Sequence, residues 1–317
     1  MTESIMNGGL LLAAVTTWLK PSAVVLAGGG VAVAILLLVA VLLRLAFPKI
    51  AAIARTTAKE AFAQPMFYVL LTTGVIALLA FPFLPYNTLG EDVKVVKESG
   101  LTLIMVLAII LALWTASVSI SEEIEGRTAL TLLSKPITRR QFILGKFLGI
   151  LGPVTLLFVI LGMVFLASVS YKVVYDAREN ANPEPTVAQC RDEMLLIVPG
   201  LVLALLETVV LTSISVAIST RLPMMANLLI CTAIYALGHL VPPLVNSVAG
   251  QFEIVRFVGQ LIATVVPVLD HFNVEAAVAT GRAVPISYLL WTALYCLLYS
   301  AAAIVVALIL FDDRDLA

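Results

Sequence analysis

The sequence predicts an all-α polytopic membrane protein, and both its composition and its hydrophobic patterning support this fold class. Of the 317 residues, 61% are hydrophobic and 12% are charged, whereas about a quarter of the residues in soluble domains are charged. The mean hydropathy is +1.08. The apolar residues are collected in long runs, and a helix needs about 20 of them to cross a hydrocarbon core about 30 Å thick.

Seven runs have the length and composition of transmembrane helices. We expect helices rather than strands, because a helix satisfies its own backbone hydrogen bonds in lipid and no run shows the alternating polarity of a membrane strand. The predicted spans are residues 22–46, 66–84, 101–120, 147–169, 195–219, 224–245 and 286–310.

The segment before the first span, residues 5–19, is apolar but short, and Lys20 and Pro21 follow it. A signal peptide carries its positive charge before the apolar run, so we interpret this segment as interfacial. A cleaved segment or a short spanning segment is the alternative. Together with the span 22–46 it forms an N-terminal segment of residues 1–48.

Residues 49–65 predict an amphipathic connecting helix. One side of a helical wheel is apolar and the other is charged, so the pattern fits a helix in the headgroup plane with basic side chains toward the lipid phosphates. Pro65 ends this helix, and a solvated linker is the alternative. The apolar side carries Ile50, Ile53, Ala54 and Ala61, and the charged side carries Lys49, Arg55, Lys59 and Glu60.

Three segments between the later spans differ in polarity. Residues 90–100 and 171–193 are polar and are interpreted as solvated loops. Residues 246–285 are of intermediate hydrophobicity, and apolar residues recur in them at helical spacing, which predicts a short helix at the surface or dipping inward. Charged residues and Pro267 interrupt this segment, so we do not expect an eighth span. The recurring residues are Phe252, Val255, Val258 and Ile262.

Residues 121–146 form a charged segment between two spans, and they hold eight of the chain's 39 acidic and basic residues. Glu122, Glu123 and Glu125 follow the third span and fix where its helix leaves the membrane, because carboxylates are costly in lipid. Pro136 is expected to stop that helix beyond the membrane.

A second helix is predicted to begin at Thr138. Gln141 stands three residues further on, which is the spacing of a capping box. The two helices would form a hairpin that projects from adjacent spans. Such a hairpin can transmit a movement of a soluble domain to two membrane helices. The alternative is a charged loop that only sets the topology.

The distribution of basic residues predicts the orientation. With alternating spans, one side of the membrane receives 11 of the 19 basic residues, and basic density near span ends is typical of the cytoplasmic side. We therefore expect an external N-terminus and a cytoplasmic C-terminus. The 11 residues are Arg44, Lys49, Arg55, Lys59, Arg127, Lys135, Arg139, Arg140, Lys146, Arg221 and Arg314.

A polar stripe lies within the fifth span, where Glu207 is followed at helical spacing by hydroxyl side chains. A carboxylate there is expected to face the bundle interior or a watery cavity. The stripe is either part of a translocation path or a set of interhelical hydrogen bonds. It consists of Glu207, Thr208, Thr212, Ser215 and Ser219.

Two other features of the spans have structural interpretations. Gly145 and Gly149 have the spacing that lets two helices approach closely. His239 is interpreted as a packing residue rather than a ligand. The three cysteines form neither a disulfide framework nor a zinc pattern, and we predict no metal site.

Several catalytic motifs are absent from the sequence. The Gly145-Lys146 pair is followed by Phe147 and has no upstream glycine, so it cannot form a phosphate-binding loop. There is no His-Glu-x-x-His motif and no Gly-x-Ser-x-Gly motif. We therefore predict that the chain is not an enzyme. The net charge of −1 gives no signal for nucleic acid.

Residues 121–149 resemble the signature of type-2 ABC exporter permeases. That signature has an acidic pair, Glu-x-Gly-Thr, a Leu-rich stretch, Ser-x-Pro with a following Arg, and Gly-Lys. Arg127 is an extra residue between Gly126 and Thr128, as in the branch linked to multicopper-enzyme maturation. Residues 266–273, 284–288 and 310–316 resemble further family segments.

The resemblance covers residues 50–316 and implies a six-helix permease core at 66–317, with the span 22–46 as an additional N-terminal helix. It implies a cytoplasmic coupling segment at 121–146 that docks on an ATPase subunit, and an external loop at 246–285. The implied coupling residues are Glu122, Glu123, Glu125, Arg127, Lys135, Arg139 and Arg140.

The function implied is that of the membrane permease subunit of an ABC exporter, in the cell inner (plasma) membrane. The implied partners are an ABC ATPase, which would bind ATP and Mg, a second permease subunit in a homodimer or heterodimer, and membrane lipid. No cofactor is expected in this chain. An ion-driven secondary transporter would need several buried ionisable groups, and only Glu207 is available. The other alternative is a non-transport scaffold or enzyme-maturation factor.

Overall fold

The computed structural model describes residues 22–84, 91–121, 137–181, 183–246 and 252–312, and these contain helices and no strand. Ten α-helices are described: α1 Ser22–Ala46, α2 Pro48–Ala63, α3 Pro65–Ala80, α4 Asp92–Ala116, α5 Arg139–Glu179, α6 Val187–Ser219, α7 Met224–Asn246, α8 Glu253–Val265, α9 Glu275–Ala279 and α10 Ile286–Asp312. Short 3₁₀ turns extend α3 and precede α9, and the π-helical turn Ser117–Ser121 continues α4.

Seven of the described helices are long and apolar enough to cross a membrane, and they are α1, α3, α4, α5, α6, α7 and α10. The predicted fold class is therefore confirmed. The helix α8 and the segment Leu269–Ala279 meet at a bend of 68°. We treat them as a helical excursion between α7 and α10, and α8 confirms the helix that the spacing of Phe252 to Ile262 predicts.

The centre of the bundle is formed by α4, α5 and α6, which pack against one another. The apolar part of α4 is 72% buried, whereas that of α1 is only 11% buried. The helix α10 packs on α6, and α2 lies along α5. The helix α1 is apolar on all sides and exposes most of its surface, as suits contact with lipid.

The contact between α2 and α5 depends on two glycines. A Cβ atom at Gly145 would lie 2.6 Å from Cβ of Ile53, and one at Gly149 would lie 2.7 Å from the backbone oxygen of Ala54. The close approach predicted for these glycines is present, and the neighbouring helix is α2. The buried face of α2 includes Ile53, Ala54 and Ala61, which belong to the predicted apolar side.

Two segments interpreted as loops are mostly helical instead. The prediction of a loop at 171–193 is wrong, because α5 continues to Glu179 and α6 begins at Val187. The prediction of a loop at 90–100 is also wrong, because α4 begins at Asp92.

The physical reason for these extensions is that their charges are paired between helices. The Nζ atom of Lys172 lies 3.1 Å from Oδ2 of Asp92, and Lys97 forms an ion pair with Glu193. Both lysine side chains are almost completely buried, so these helices continue past their apolar runs without leaving either buried lysine unpaired. A capping box at Thr186 starts α6.

These contacts define two ends of the bundle. We use "the Asp92 end" for the end where the start of α4, the end of α5 and the start of α6 meet through these ion pairs. We use "the Arg139 end" for the opposite end, where the start of α5 and the turn after α6 both contact the end of α10.

Candidate functional site

A cavity of about 70 Å³ lies between α4, α6, α7 and the segment that leads into α9, toward the Asp92 end. We call it the Glu207 cavity. Its lining combines apolar side chains with a group of polar ones that come from four separate parts of the chain. The polar lining consists of Thr102, Glu207, Tyr235, His239, Asn273 and Glu275.

Glu207 is the most deeply buried acidic group of this cavity. Its side chain is 1% exposed, and its Oε1 atom has no hydrogen-bond partner. The Nε2 atom of His239 lies 3.5 Å from Oε1, which is longer than a good hydrogen bond. A carboxylate in such surroundings is stabilised only when a proton or another cation accompanies it.

The position of the His239 ring is set by its own helix. Its Nδ1 atom lies 3.2 Å from the backbone oxygen of Tyr235. A carbonyl oxygen can only accept, so Nδ1 carries a proton and Nε2 is the atom that faces Glu207. The interpretation of His239 as a packing residue is therefore incomplete, because the ring also forms part of the cavity wall.

Glu275 supplies a second carboxylate from the start of α9. Its Oε1 atom accepts a hydrogen bond of 2.7 Å from the Thr102 hydroxyl on α4, and its backbone N–H donates to Oδ1 of Asn273 at 3.1 Å. Burial raises the pKa of the Glu275 carboxyl, while the hydrogen bond from Thr102 lowers it. Because Thr102 belongs to α4, its hydrogen bond to Glu275 shows that the bend before α9 brings the Glu275 carboxylate into contact with the bundle.

The hydroxyl members of the predicted polar stripe are buried away from this cavity. Thr208 donates to the backbone oxygen of Ala204 at 2.9 Å, and Thr212 donates to that of Thr208 at 2.6 Å. Ser215 and Ser219 contact Asn227 instead. Of the stripe, Glu207 alone lines the Glu207 cavity, and the role of all five residues in a translocation path stays a prediction.

A buried polar cluster around Asn227 occupies the part of the bundle near the Arg139 end. The amide Nδ2 of Asn227 lies 2.6 Å from Oγ of Ser117, 2.8 Å from Oγ of Ser215 and 2.9 Å from Oγ of Ser219. Its Oδ1 accepts from the Cys231 thiol at 3.2 Å. We call this group the Asn227 cluster; it connects α7 to α6 and to the π-helical turn after α4.

The predicted capping box at the start of α5 is present. The backbone N–H of Gln141 donates to the Thr138 hydroxyl at 3.3 Å, and the backbone N–H of Thr138 donates to the Gln141 side chain at 3.1 Å. These bonds satisfy two N–H groups at the helix start. The start of α5 is therefore fixed by local sequence, as expected.

Arg139 connects this helix start to the end of α10. Its guanidinium donates to the backbone oxygens of Phe311 at 3.2 Å and Asp312 at 2.8 Å, and it lies over the Phe311 ring. The Phe142 and Phe311 rings are stacked with centroids 5.6 Å apart. Arg139, predicted as an ATPase-coupling residue, is thus held within the chain, while Arg140 is exposed.

The remaining predicted coupling residues, Glu122, Glu123, Glu125, Arg127 and Lys135, lie outside the described residues, as do the N-terminal segment 5–19 and the last residues of the chain. Of the predicted coupling segment 121–146, the structure describes residue 121 and residues 137–146, and two anchored residues bracket the part outside the description. These residues are Ser117, which belongs to the Asn227 cluster, and Arg139, which is bonded to the end of α10.

A group of carboxylates at the Asp92 end has the spacing of metal ligands. Asp92, Asp176 and Glu179 place one oxygen each within 4.8 Å of one another. The ammonium of Lys172 already lies 3.1 Å from Asp92, and it supplies a positive charge to this group. We therefore interpret the group as part of an ion-pair network.

Sequence reasoning identified Glu207 but missed its partners in the cavity. Thr102, Tyr235 and Glu275 are separated from Glu207 along the chain, and no local spacing relates them. Asn227 carried a usable signal, because a lone asparagine within an apolar span needs hydrogen-bond partners.

The helical bundle and its seven candidate spans define a multi-pass membrane protein. Comparison with known families identifies its kind. Residues 86–316, which are 231 of the 317 residues, match the family described as ABC-2 family transporter protein. The chain therefore belongs to the ABC-2 transporter family, whose members are generally non-enzymatic permease components that work with an ABC ATPase. No curated protein matches the chain.

This family assignment confirms the resemblance to type-2 ABC permeases. The match begins after α3, so α1, α2 and α3 lie outside it. The match is to the family as a whole, and membership of the branch linked to multicopper-enzyme maturation stays a prediction.

Proposed function

We propose that this chain is the membrane permease subunit of an ABC exporter and that it couples to a separate ATPase through residues 121–146. The observation that supports this coupling most strongly is the anchoring of two residues, one just before this segment and one near its second helix start. Ser117 is bonded to Asn227 at 2.6 Å, and Arg139 is bonded to the backbone of Asp312 at 2.8 Å. A displacement of the segment would therefore reach α6, α7 and α10 as well as α4 and α5.

The Arg139 end is proposed to face the cytoplasm, in the inner (plasma) membrane. Lys49 and Arg221 lie near this end, since the neighbouring Ile50 lies beside Gly145 of α5 and Arg221 donates to Leu310 of α10, and Arg44 closely precedes Lys49 at the end of α1; basic residues near span ends favour the cytoplasmic side. The C-terminus would then be cytoplasmic and the N-terminus external. The ATPase would bind ATP and Mg, this chain would bind no cofactor, and a second permease subunit would complete the complex.

The orientation is testable with single cysteines in a background that lacks the native ones. A cysteine at Pro183, near the Asp92 end, is expected to react with a membrane-impermeant thiol reagent added outside cells. A cysteine at Arg140 is expected to react only after the membrane is opened. Both positions are exposed, so reversed labelling would contradict the orientation and the cytoplasmic position of the coupling segment.

Coupling is testable with a charge exchange inside the segment. The double variant Glu123→Lys, Arg127→Glu keeps the net charge and the spacing of an i, i+4 pair, so a helix there would retain its pairing. It is expected to lose stimulation of the ATPase and ATP-dependent transport while still inserting into the membrane. Full transport and unchanged ATPase association in this variant would contradict the proposal.

The matched control exchanges a pair at the opposite end of the bundle. Glu91 and Lys94 form an exposed ion pair three residues apart, and the variant Glu91→Lys, Lys94→Glu makes the same charge exchange there. It is expected to keep transport and ATPase association. Equal loss in both double variants would show a general effect of charge exchange rather than coupling at residues 121–146.

A further inference from the structure

We propose that the Glu207 cavity binds a protonated primary amine, with the ammonium group held between the carboxylates of Glu207 and Glu275. The ligand is the amine of a transported molecule or of a lipid headgroup. Its role as cargo rests on the proposed function, whereas binding itself rests on the cavity alone.

The first observation is an acceptor without a donor. The Oε1 atom of Glu207 is buried and has Nε2 of His239 at 3.5 Å but no partner at hydrogen-bond distance, and Glu207 lines the cavity. Most buried polar atoms in proteins have a hydrogen-bond partner, so a buried carboxylate oxygen without one indicates that a ligand supplies the donor. An ammonium N–H group would supply both the hydrogen bond and the charge that a buried carboxylate requires.

The second observation is the charge of the lining. Glu207 and Glu275 come from different helices and face the same cavity, and no lysine or arginine is among the residues that line it. The buried lysines Lys97 and Lys172 do not line the cavity and are paired with Glu193 and Asp92 at the Asp92 end. His239 is the sole basic side chain in this lining, so the cavity is suited to a cation.

The third observation is the size and polarity of the space. A volume of about 70 Å³ is several times the roughly 10–15 Å³ that a cavity needs to hold one water molecule, so the cavity accommodates an ammonium group and a short alkyl stem. Leu101, Met105 and Phe272 provide apolar surface for such a stem. A quaternary ammonium would have no N–H to donate to either carboxylate.

A divalent metal fits the cavity less well. A metal needs several ligand atoms converging on one point. Among the described residues, the carboxylate, imidazole and thiol groups that converge within 4.8 Å are those at Asp92, Asp176 and Glu179. Within the described part of the chain, no three such groups of the Glu207 cavity converge in this way, whereas an ammonium group can donate its N–H groups in different directions.

The residues that line the cavity differ in exposure. Asn273 is exposed and Glu275 is partly exposed, whereas Glu207 is buried deeper. A ligand would therefore meet Glu275 first and Glu207 second. The hydrogen bond from Thr102 to Glu275 keeps one oxygen of the outer carboxylate oriented.

The test uses the purified full-length chain in detergent without any ATPase, and it compares two probes. Ethylammonium chloride is expected to raise the midpoint of thermal unfolding in a saturable way. Tetramethylammonium chloride, which has no N–H group, is expected to leave it unchanged. Equal effects of the two salts, or no saturable effect of ethylammonium, would overturn the proposal.

Three variants locate the binding. Glu207→Gln and Glu275→Gln each remove one negative charge and are expected to weaken ethylammonium binding about tenfold or more, because hydrogen bonds to charged groups are the stronger ones. Glu91→Gln removes an exposed charge outside the cavity and is expected to bind as the wild type does. If Glu207→Gln does not fold, the test rests on Glu275→Gln. Wild-type affinity of Glu275→Gln for ethylammonium would overturn the proposal.

Lipid bilayers distinguish the two sources of the amine. The ethylammonium titration is repeated in nanodiscs of phosphatidylcholine and of phosphatidylcholine mixed with phosphatidylethanolamine. Weaker apparent binding in the mixed discs shows that the lipid amine competes for the cavity, and equal binding assigns the cavity to a soluble amine. Absence of ethylammonium binding in both kinds of nanodisc would overturn the proposal. Failure of the coupling experiments on residues 121–146 would not affect the binding result, because no ATPase is present in this titration.

Discussion

Asn227 and Ser117 are joined by a buried hydrogen bond of 2.6 Å between Nδ2 and Oγ. This bond connects the start of α7 to the π-helical turn that follows α4, and π-helical turns are frequent at functional sites. Ser117 also donates to the backbone oxygen of Leu113 at 2.7 Å. The same side chain therefore belongs to its own helix and to the Asn227 cluster.

Loss of the Asn227 amide is expected to destabilise the bundle. Asn227→Ala removes contacts to three serine hydroxyls and should lower the free energy of unfolding by about 2 kcal/mol, whereas Ser117→Ala removes one contact and should cost about 1 kcal/mol. Both are measured by equilibrium unfolding in mixed micelles. The control is Asn180→Ala, at an exposed asparagine that bonds to the backbone of its own helix; an equal loss there would contradict the prediction.

The buried ion pair at the Asp92 end gives a second prediction. The side chain of Lys172 is 1% exposed and that of Asp92 is 14% exposed. Lys172→Met leaves the carboxylate without this partner and should lower the free energy of unfolding by about 3 kcal/mol. The double variant Lys172→Met, Asp92→Asn should recover much of this loss, because no unpaired charge is left at these two positions.

The control for this pair is an exposed one in the same region. Arg178 and Glu184 form an ion pair of 2.9 Å with both side chains at least half exposed. Arg178→Met should change stability by less than about 1 kcal/mol, because exposed pairs contribute little. If Lys172→Met were as mild as Arg178→Met, the interhelical pair would not explain the helical extensions at this end.

Local patterns explain what could be predicted from the sequence. The capping box of Thr138 and Gln141 depends on residues three apart, so its spacing was sufficient. The seven spans follow from length and hydropathy. The extension of α5 was missed because Lys172 is paired with Asp92, which lies 80 residues away along the chain. A polar segment without its partner is indistinguishable from a solvated loop.

The candidate site shows the same limit. Glu207 was identified because a carboxylate within an apolar span is conspicuous. Its neighbours Glu275 and Thr102 meet across 173 positions, and the bend that brings them together is not encoded in any short motif. Gly145 and Gly149 indicated a close helix approach, but their spacing could not identify α2 as the neighbour.

Substitution of either glycine of α5 that contacts α2 is expected to destabilise the protein more than substitution of a third glycine of α5, Gly152. A Cβ atom at Gly149 would lie 2.7 Å from the backbone oxygen of Ala54, whereas one at Gly152 would lie 3.8 Å from the Cβ of Ala58. Gly149→Ala should therefore push α2 away from α5 and lower the free energy of unfolding by about 1–3 kcal/mol. Gly152→Ala should cost less than Gly149→Ala, because its Cβ is not forced against α2, and the crowding of that Cβ by the following Pro153 ring is offset in part by the higher helix propensity of alanine.

The measurement for these glycines is equilibrium unfolding together with proteolysis in the region of Gln64, between α2 and α3. Displacement of α2 should increase cleavage there in Gly149→Ala and leave Gly152→Ala as the wild type. Similar behaviour of the two variants would show that α2 tolerates displacement and that the tight contact contributes little stability.

Substitutions of the two adjacent arginines at the start of α5 can distinguish the effect of contacts within the chain from the effect of contacts with a partner. Arg139 is bonded to the end of α10, whereas Arg140 is exposed. Under the proposed function, Arg140 is available to the ATPase, and Arg139 transmits movement of the coupling segment to α10. The two substitutions to alanine remove the same charge and should therefore have different consequences.

Arg139→Ala should leave association with the ATPase unchanged and reduce the transport obtained per ATP hydrolysed. The reason is that the hydrogen bonds to Phe311 and Asp312 are lost. The Phe142–Phe311 stack still keeps α5 and α10 in contact. Arg140→Ala should weaken association with the ATPase, by about 1 kcal/mol or less for an exposed charge, and leave the transport per ATP unchanged in the complexes that form. Both quantities are measured on the reconstituted complex at several ATPase concentrations. If Arg139→Ala instead weakened association and left the transport per ATP intact, Arg139 would contact the partner directly, and its bonds to α10 would have no part in coupling.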